Sequence, residues 1–272
     1  MLAAKSAYRV GAGLVECAIP ERIYEAAANN NLESIFTLLE CEDGVITENA
    51  WQTLRTKLAE VNCLLFGPGI GHEDTTFRFL QRVLFTVESK NQTSGTGFVP
   101  SHSEKMTATP VSLPPVVIDA DGLRLMARVE EWHQKIETQL VLTPHPGEMS
   151  ALTGLPVTEI QQNRFEVARQ NARRWGQVLV LKGALTIVAD PNGNLAVLPY
   201  ASSALAKAGT GDVLAGMIAG LITQGVKPFE AAVVGVWLHA QASIEVMQRQ
   251  GSETCLLAGN LVEAISQVYG LI

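Results

Sequence analysis

No Cys-x-x-Cys pair occurs in the sequence, and no cysteine stands in a metal-binding spacing with a histidine; Cys17, Cys41, Cys63 and Cys255 lie far apart. That pattern excludes a zinc ribbon and argues against a disulfide framework, so buried reduced thiols are expected. Positive charge is also short, with 20 Lys and Arg against 27 Asp and Glu, a net charge of −7. Such a balance provides no global basic field, and neither nucleic acid nor a membrane surface is an expected partner. No apolar run reaches membrane-spanning length, and the opening "MLAAKSAYRVGAG" is too short and too interrupted for a signal peptide, so a cytoplasmic location is expected. No internal repeat is visible. No Gly-Lys-Ser/Thr follows any glycine-rich turn, which excludes a Walker loop.

What the chain does have is apolar mass arranged in alternation. Its 272 residues are 47% hydrophobic, enough for one large core, and a single domain over 1–272 is expected. The runs "LVECAI" (14–19), "CLLFG" (63–67), "VVIDA" (116–120), "LVLT" (140–143) and "VLVLKG" (178–183) have the character of buried parallel strands. Between them "ENAWQTLRTKLAEV", "EDTTFRFLQRVLFTV" and "TEIQQNRFEVARQNARRW" have helical period, the last with a capping box from Thr158 to Gln161. The expected fold is a three-layer α/β/α domain with a mostly parallel central sheet. "TIVADPNGNLAVLP" adds an antiparallel edge hairpin, and the chain from Val213 onward is helical. The aperiodic Ser, Thr, Gly and Pro-rich stretch from 88 to 115 is expected to be a surface insertion within the domain.

In a sheet of this kind ligands bind beyond the carboxyl ends of the strands, so the turns that follow each run matter most. Those turns are "GPGIG", "DADGL", "TPHPGE" and "KGALT". Gly67, Gly69 and Gly71 permit close approach of backbone to a ligand, or form an ordinary turn into a helix. Asp119 and Asp121 suit a metal or a ribose hydroxyl, and equally suit turns and helix caps. His145 and Glu148, three residues apart, could share one helix turn facing the cleft; the plainer alternative has Glu148 complementing a helix N-terminus and His145 hydrogen-bonded at the surface. Lys182, after a very apolar strand, suits a phosphate as a point charge, with a snorkelling surface lysine as its competitor.

The segment "LAKAGTGDVLAGMIAGL" combines a glycine pair, a carboxylate and a helix. Val213, Leu214, Met217, Ile218, Leu221 and Ile222 form an apolar face, while Ala215, Gly216, Ala219 and Gly220 form a small one that admits a close neighbour. The helix then starts at Gly209-Thr210-Gly211-Asp212, where free N–H groups make an anion hole. Asp212 or Thr210 as a simple N-cap is the alternative. A carboxylate beside an anion hole is placed to take a proton from a hydroxyl as that oxygen attacks a bound phosphoryl group, and phosphoryl transfer is the favoured chemistry.

Taken in order, "GPGIG", "VIDADGL", "LTPHPGEMSALTG", "VLKGALTIVADPNG", "LAKAGTGDVLAGMIAGLITQG" and "AAVVGVWLHAQA" resemble the YjeF C-terminal family of the ribokinase-like superfamily, the ADP- or ATP-dependent NAD(P)H-hydrate dehydratases. The resemblance implies repair of hydrated NADH or NADPH: the ring hydroxyl is phosphorylated by ADP or ATP with Mg2+, phosphate leaves, and the dihydropyridine returns. It implies Asp212 as the base, with Gly209, Thr210 and Gly211 as the anion hole. Lys182, Gly183, Ala184, Leu185 and Thr186 would contact the nucleotide phosphates. Gly69, Gly71 and His145, with Asp212, would line the hydrated-cofactor pocket, and Glu148 would act through magnesium and water. A homo-oligomer binding only small molecules is expected.

Two stretches depart from the family pattern. Members usually begin with a further strand and a Gly-Gly-Ser loop, whereas this sequence starts at "MLAAKSAYRVGAGLV", inside the following helix; weak or absent dehydration with intact nucleotide binding is the corresponding expectation. Ser202 and Ser203 stand where members often carry Asn-Pro before the final motif. No epimerase domain accompanies the sequence, so epimerisation is not expected. A small-molecule kinase of the hydroxyethylthiazole or hydroxymethylpyrimidine type, or a catalytically silent nucleotide-binding subunit, are the alternative functions.

Overall fold

Helix and strand alternate along the chain as the apolar periods demand. A computed structural model describes residues 1–85 and 112–271. The helices are α1 (Leu2–Arg9), α2 (Tyr24–Asn30), α3 (Ala50–Leu58), α4 (Asp74–Leu84), α5 (Asp121–Met126), α6 (Pro146–Thr153), α7 (Val157–Gln162), α8 (Arg164–Trp175), α9 (Thr210–Thr223), α10 (Pro228–Gln250) and α11 (Ala258–Val268). The strands are β1 (Glu16–Pro20), β2 (Ile35–Leu39), β3 (Cys41–Glu42), β4 (Val45–Ile46), β5 (Leu64–Phe66), β6 (Val116–Ile118), β7 (Leu140–Leu142), β8 (Val178–Leu181), β9 (Ile187–Ala189) and β10 (Leu195–Val197).

The main sheet has the order β10-β9-β8-β7-β6-β5. Strands β5 to β8 run parallel, and β9 and β10 close the far edge antiparallel, as the Pro191-Asn192-Gly193-Asn194 turn requires. Alternate side chains leave opposite faces of a strand. Phe66, Ile118, Leu142, Leu179 and Leu181 therefore join Phe79, Leu123, Met149 and Ile160 in one core layer. Val117, Val141, Val180 and Val188 join Val213, Ile218, Val236 and Leu261 in the other. The result is the three-layer α/β/α fold, mixed in strand direction at one edge.

The small stripe of α9 receives α1. A Cβ on Gly216 would overlap Ala3 O and Ser6 Oγ, and one on Gly220 would lie 2.6 Å from Val10 Cγ2 and 2.8 Å from Ala7 O. Backbone thus approaches backbone where only hydrogen fits. Gly216→Ala is expected to cost about 1–3 kcal/mol through overpacking, read as a lower urea midpoint at unchanged slope; an unchanged midpoint would show that the two helices part freely.

Several expectations need correction. "LVECAI" is a parallel strand but a half-buried one, paired with β2 in a separate two-stranded sheet. Its Glu16 accepts a hydrogen bond from Thr37 and lies 3.2 Å from Lys57 Nζ, a partly exposed pair on a strand whose burial is incomplete. The helix over 158–175 is two helices, interrupted at Asn163, and the Thr158–Gln161 capping box does not form, because α7 starts earlier, behind Pro156, leaving Thr158 inside its first turn. The cysteines are free, yet Cys17, Cys41 and Cys63 are half-buried and Cys255 is exposed, so they are not the deeply buried thiols expected. The proposed insertion, apart from 112–115, lies outside the described residues. Among the described residues no helix is long and apolar enough to cross a membrane.

Candidate active site

The carboxyl ends of β5, β6, β7 and β8 bring their four turns to one edge of the sheet, where the N-terminus of α9 meets them. The β5 turn comes first. A Cβ on Gly67 would overlap Asp119 O and lie 2.8 Å from Gly122 N, so this glycine serves the contact between neighbouring turns rather than a ligand. Around Gly69 nothing lies within 4 Å of the Cβ position, which leaves it open to solvent or substrate. Gly71 donates its N–H to Asp121 Oδ2 at 3.1 Å, and His72 Nε2 lies 3.0 Å from Asp121 Oδ1. Asp121 therefore locks the "GPGIG" turn to the start of α5.

Asp119 is the centre of the constellation. It is 1% exposed, and its Oδ1 accepts from Lys182 Nζ at 2.6 Å and Thr143 Oγ1 at 2.8 Å. Lys182 also lies 3.8 Å from Glu148 Oε2. The lysine is thus neither a snorkelling surface group nor a free point charge; it neutralises a buried carboxylate. Burying both partners costs solvation that only a close, hydrogen-bonded pair returns.

Glu148 and His145 combine the two alternatives drawn from their spacing. His145 is the N-cap of α6: its Nδ1 accepts from Gly147 N at 3.0 Å and Glu148 N at 3.3 Å, while Glu148 Oε2 accepts from His145 N at 2.8 Å. This is a reciprocal capping box, with Pro146 in the first turn. Burial, with help from Lys182 and Arg124, holds the His145 pKa below the ordinary histidine value, in keeping with a neutral ring whose Nδ1 accepts. Burial pushes the Glu148 carboxyl above the usual range, and Lys182 opposes it. The cap therefore also fixes a buried carboxylate beside Lys182.

At α9 the simple-cap alternative fails. Gly209 occupies the N-cap in the left-handed region (φ +84), and no side chain caps the helix. A Cβ there would sit 2.6 Å from Leu2 Cδ1 and 3.1 Å from Ala258 Cβ, so the glycine is required twice over. The Thr210 hydroxyl turns away from the helix start and lies 2.7 Å from Leu205 O and 2.8 Å from Lys207 O. Gly211 faces the buried pair, its Cβ position 3.3 Å from Lys182 Nζ and 3.5 Å from Asp119 Oδ2. Asp212, half-buried at the third helical position, has its pKa raised by burial first and by the Asp119 charge second. A carboxylate with raised proton affinity stands beside the uncapped positive end of a helix.

The 183–186 turn borders the same edge. Leu185 is non-glycine at φ +55 and 45% exposed, held by its N–H to Tyr200 O at 3.2 Å, and Thr186 Oγ1 donates to Gly183 O at 3.0 Å. Gly183 and Ala184 are exposed. Ser202 and Ser203 are held by local bonds: Ser202 Oγ accepts from Ala204 N, and Ser203 Oγ donates to Glu253 Oε2 at 2.6 Å.

Two groups at this edge, Thr143 and His239, are not among the residues the sequence singles out, and Asp119, weighed there beside Asp121 for a metal, a ribose hydroxyl or a cap, is instead the partner of Lys182 and Thr143. A buried run ending in Thr next to one ending in Asp is the available signal for Thr143. His239 lies within "AAVVGVWLHAQA", on a helix whose apolar composition hides it. It is 7% exposed, its buried Nε2 has no hydrogen-bond partner among the described residues, and burial drives its pKa down to about 4, against which the Thr210 backbone acts. The unfolded chain therefore takes up this proton first as pH falls. Stability from this group is complete above its ordinary value of 6.5 and is lost progressively down to about 4. His239→Gln should flatten the pH dependence of the urea midpoint across that window; an unaltered profile would place the titration elsewhere.

The fold is of the ribokinase-like kind. A crystal structure of a ribokinase-like superfamily protein from Enterococcus faecalis matches with TM-score 0.75 and 20% identity, covering 99% of this chain and 81% of that one, a likeness of fold. A family model described as NAD(P)H-hydrate dehydratase matches residues 101–267, and the chain belongs to that family. The bifunctional NAD(P)H-hydrate repair enzyme of Moorella thermoacetica is 35% identical over 268 residues, 98% of this chain and 46% of that protein. The chain spans about half the length of the curated relatives it matches. The crystal structure of the ADP/ATP-dependent NAD(P)H-hydrate dehydratase of Bacillus subtilis, co-crystallised with ATP and Mg2+, has TM-score 0.74 and 28% identity and covers 99% of this chain and 83% of that one.

Proposed function

We propose that the chain dehydrates hydrated NADH or NADPH at the expense of ADP or ATP. The observation that carries the reading is the uncapped start of α9, with Asp212 beside it and the Asp119–Lys182 pair beneath it. Asp212 takes the proton of the ring hydroxyl as the oxygen forms a bond to the terminal phosphorus of the nucleotide and the bond to the departing AMP or ADP breaks. The Gly209, Thr210 and Gly211 N–H groups hold the phosphoryl oxygens in transfer. The C–O bond of the phosphate ester then breaks, phosphate leaves with the electron pair, and loss of a proton from the adjacent ring carbon restores the double bond. Gly69, Gly71 and His145 border the hydrated ring, and Lys182 to Thr186 border the nucleotide.

Among the described residues no group of three or more His, Cys, Asp or Glu side chains is placed to hold a metal ion. The donor set fits magnesium carried mainly by phosphate and water, with Glu148 as its protein carboxylate. Bound there, the ion would supply charge neutralisation for the phosphates. Glu148 is held in place by the hydrogen bond that its Oε2 accepts from His145 N.

The test is turnover of purified protein with hydrated NADH, magnesium and either nucleotide, followed at the absorbance of reduced nicotinamide. Recovery of absorbance with one phosphate released per ring supports the reading. A phosphorylated product that accumulates would move the chain to the small-molecule kinases, and silence with both nucleotides would remove the enzymatic reading.

A further inference from the structure

Arg164 has no part in the scheme above, yet its side chain reaches the strand end that supplies Lys182. As the first residue of α8, it follows the break at Asn163. Its Nη2 donates to Leu181 O at 3.0 Å and to Lys182 O at 3.3 Å, and its Nη1 donates to Gln161 Oε1 at 2.8 Å. On the other side, Lys182 N donates to Pro144 O at 2.9 Å. The lysine backbone is therefore pinned at both its N–H and its C=O, and from that fixed base its Nζ reaches Asp119 at 2.6 Å and lies 3.8 Å from Glu148.

The next residue adapts to the guanidinium. Gly183 stands at φ +137, and a Cβ there would lie 3.1 Å from Arg164 Nη1 and 3.3 Å from Nη2. A side chain at 183 would crowd the fork, and the positive φ disfavours one there in any case. Among the described residues, the buried Arg164 Nε has no hydrogen-bond partner, a loss of solvation that an ordinary surface arginine avoids. A planar fork of donors bridges two carbonyls and a side-chain oxygen at once; a lysine ammonium in the same place lacks that geometry.

We propose that Arg164 is a positioning residue for the nucleotide side of the site: it clamps the carbonyls of Leu181 and Lys182, and so aims Lys182 and sets the 183–186 turn. The word nucleotide rests on the function proposed above, whereas the clamp does not. Two variants of the full chain, Arg164→Ala and Arg164→Lys, test both parts.

The first readout is hydrogen exchange in the ligand-free protein. Arg164→Ala should speed exchange of the Lys182 and Leu185 amides, the two in the 182–186 turn with a backbone acceptor, by about tenfold or more, with amides of β6 and β7 held within about twofold, because only local opening is favoured. Guanidinium at low millimolar concentration should restore protection to Arg164→Ala, and Arg164→Lys should not. The second readout is kinetic: the nucleotide KM should rise by about tenfold or more in both variants, with the KM for hydrated cofactor within about twofold of wild type. Unchanged exchange at Lys182 and Leu185, equal recovery by Arg164→Lys, or loosening of the whole chain without rescue by guanidinium would overturn the clamp. Altered exchange with an unaltered nucleotide KM would overturn the assignment to the nucleotide side. Absence of turnover in the wild type would count against the proposed function alone, since the exchange readout still decides what Arg164 holds.

Discussion

Asp212→Asn is expected to lower turnover of hydrated NADH by about two orders of magnitude or more, the range of a positioned base, with nucleotide affinity nearly unchanged. Asparagine keeps the size and place of the side chain at the third position of α9, and no cap is lost, because Asp212 does not cap the helix. What disappears is the ability to accept a proton. The favourable interaction of a carboxylate with the helix dipole is lost too, but that is worth only about 0.3–1 kcal/mol. The wild-type rate should also fall on the acid side with an apparent pKa above the ordinary aspartate value, since burial and the Asp119 charge both resist ionisation of Asp212. Steady-state rates across pH, beside nucleotide-induced shifts in melting temperature, separate the two effects. A near-normal rate in the variant would reduce Asp212 to a helix-start carboxylate.

Lys182→Met should destabilise the fold by about 3–5 kcal/mol, the cost of leaving a buried charge unpaired. Asp119 is almost fully enclosed and depends on the lysine and on Thr143, while Glu148 loses its nearest cation in the same substitution. Methionine preserves much of the lysine stem, so packing changes least. The double variant Lys182→Met with Asp119→Leu should recover most of the loss, because removing both charges removes the unpaired group. Urea unfolding of the two single variants and the double variant measures the coupling. A loss below about 1 kcal/mol in Lys182→Met would mark the pair as effectively solvated, as surface pairs are.

Much of the site was legible because its residues sit at strand ends, and strand ends are announced by short buried runs followed by glycine or proline. Gly69, His145, Glu148, Lys182 and Asp212 each follow or begin such an element, and the structure brings their turns to one edge. Roles were less legible than positions. The spacing of His145 and Glu148 suggested either a cleft pair or a helix cap, and the capping box satisfies both through one set of bonds. Gly67 belonged to a glycine run but serves the neighbouring β6 turn, and Lys182 looked like a free cation until Asp119 lay beside it. The two-residue strands β3 and β4 were missed although Asp43-Gly44 is an ordinary hairpin signal; two-residue runs carry too little period to register.

By itself the sequence determined the strand runs, their helices, the edge hairpin, the small stripe of α9 and the glycine-framed start of that helix. These follow from local rules: which faces are apolar, where φ must be positive, where an N–H is missing. Only the tertiary structure decided that α1 fills the α9 stripe, that β1 and β2 form a sheet of their own, that Asp119 neutralises Lys182 and that Arg164 grips the carbonyls before Gly183. Asp119 and Lys182 are 63 residues apart. Their pairing depends on the order in which β6, β7 and β8 lie side by side, and that order is set by burial summed over the whole sheet, a quantity to which no short stretch of chain has access.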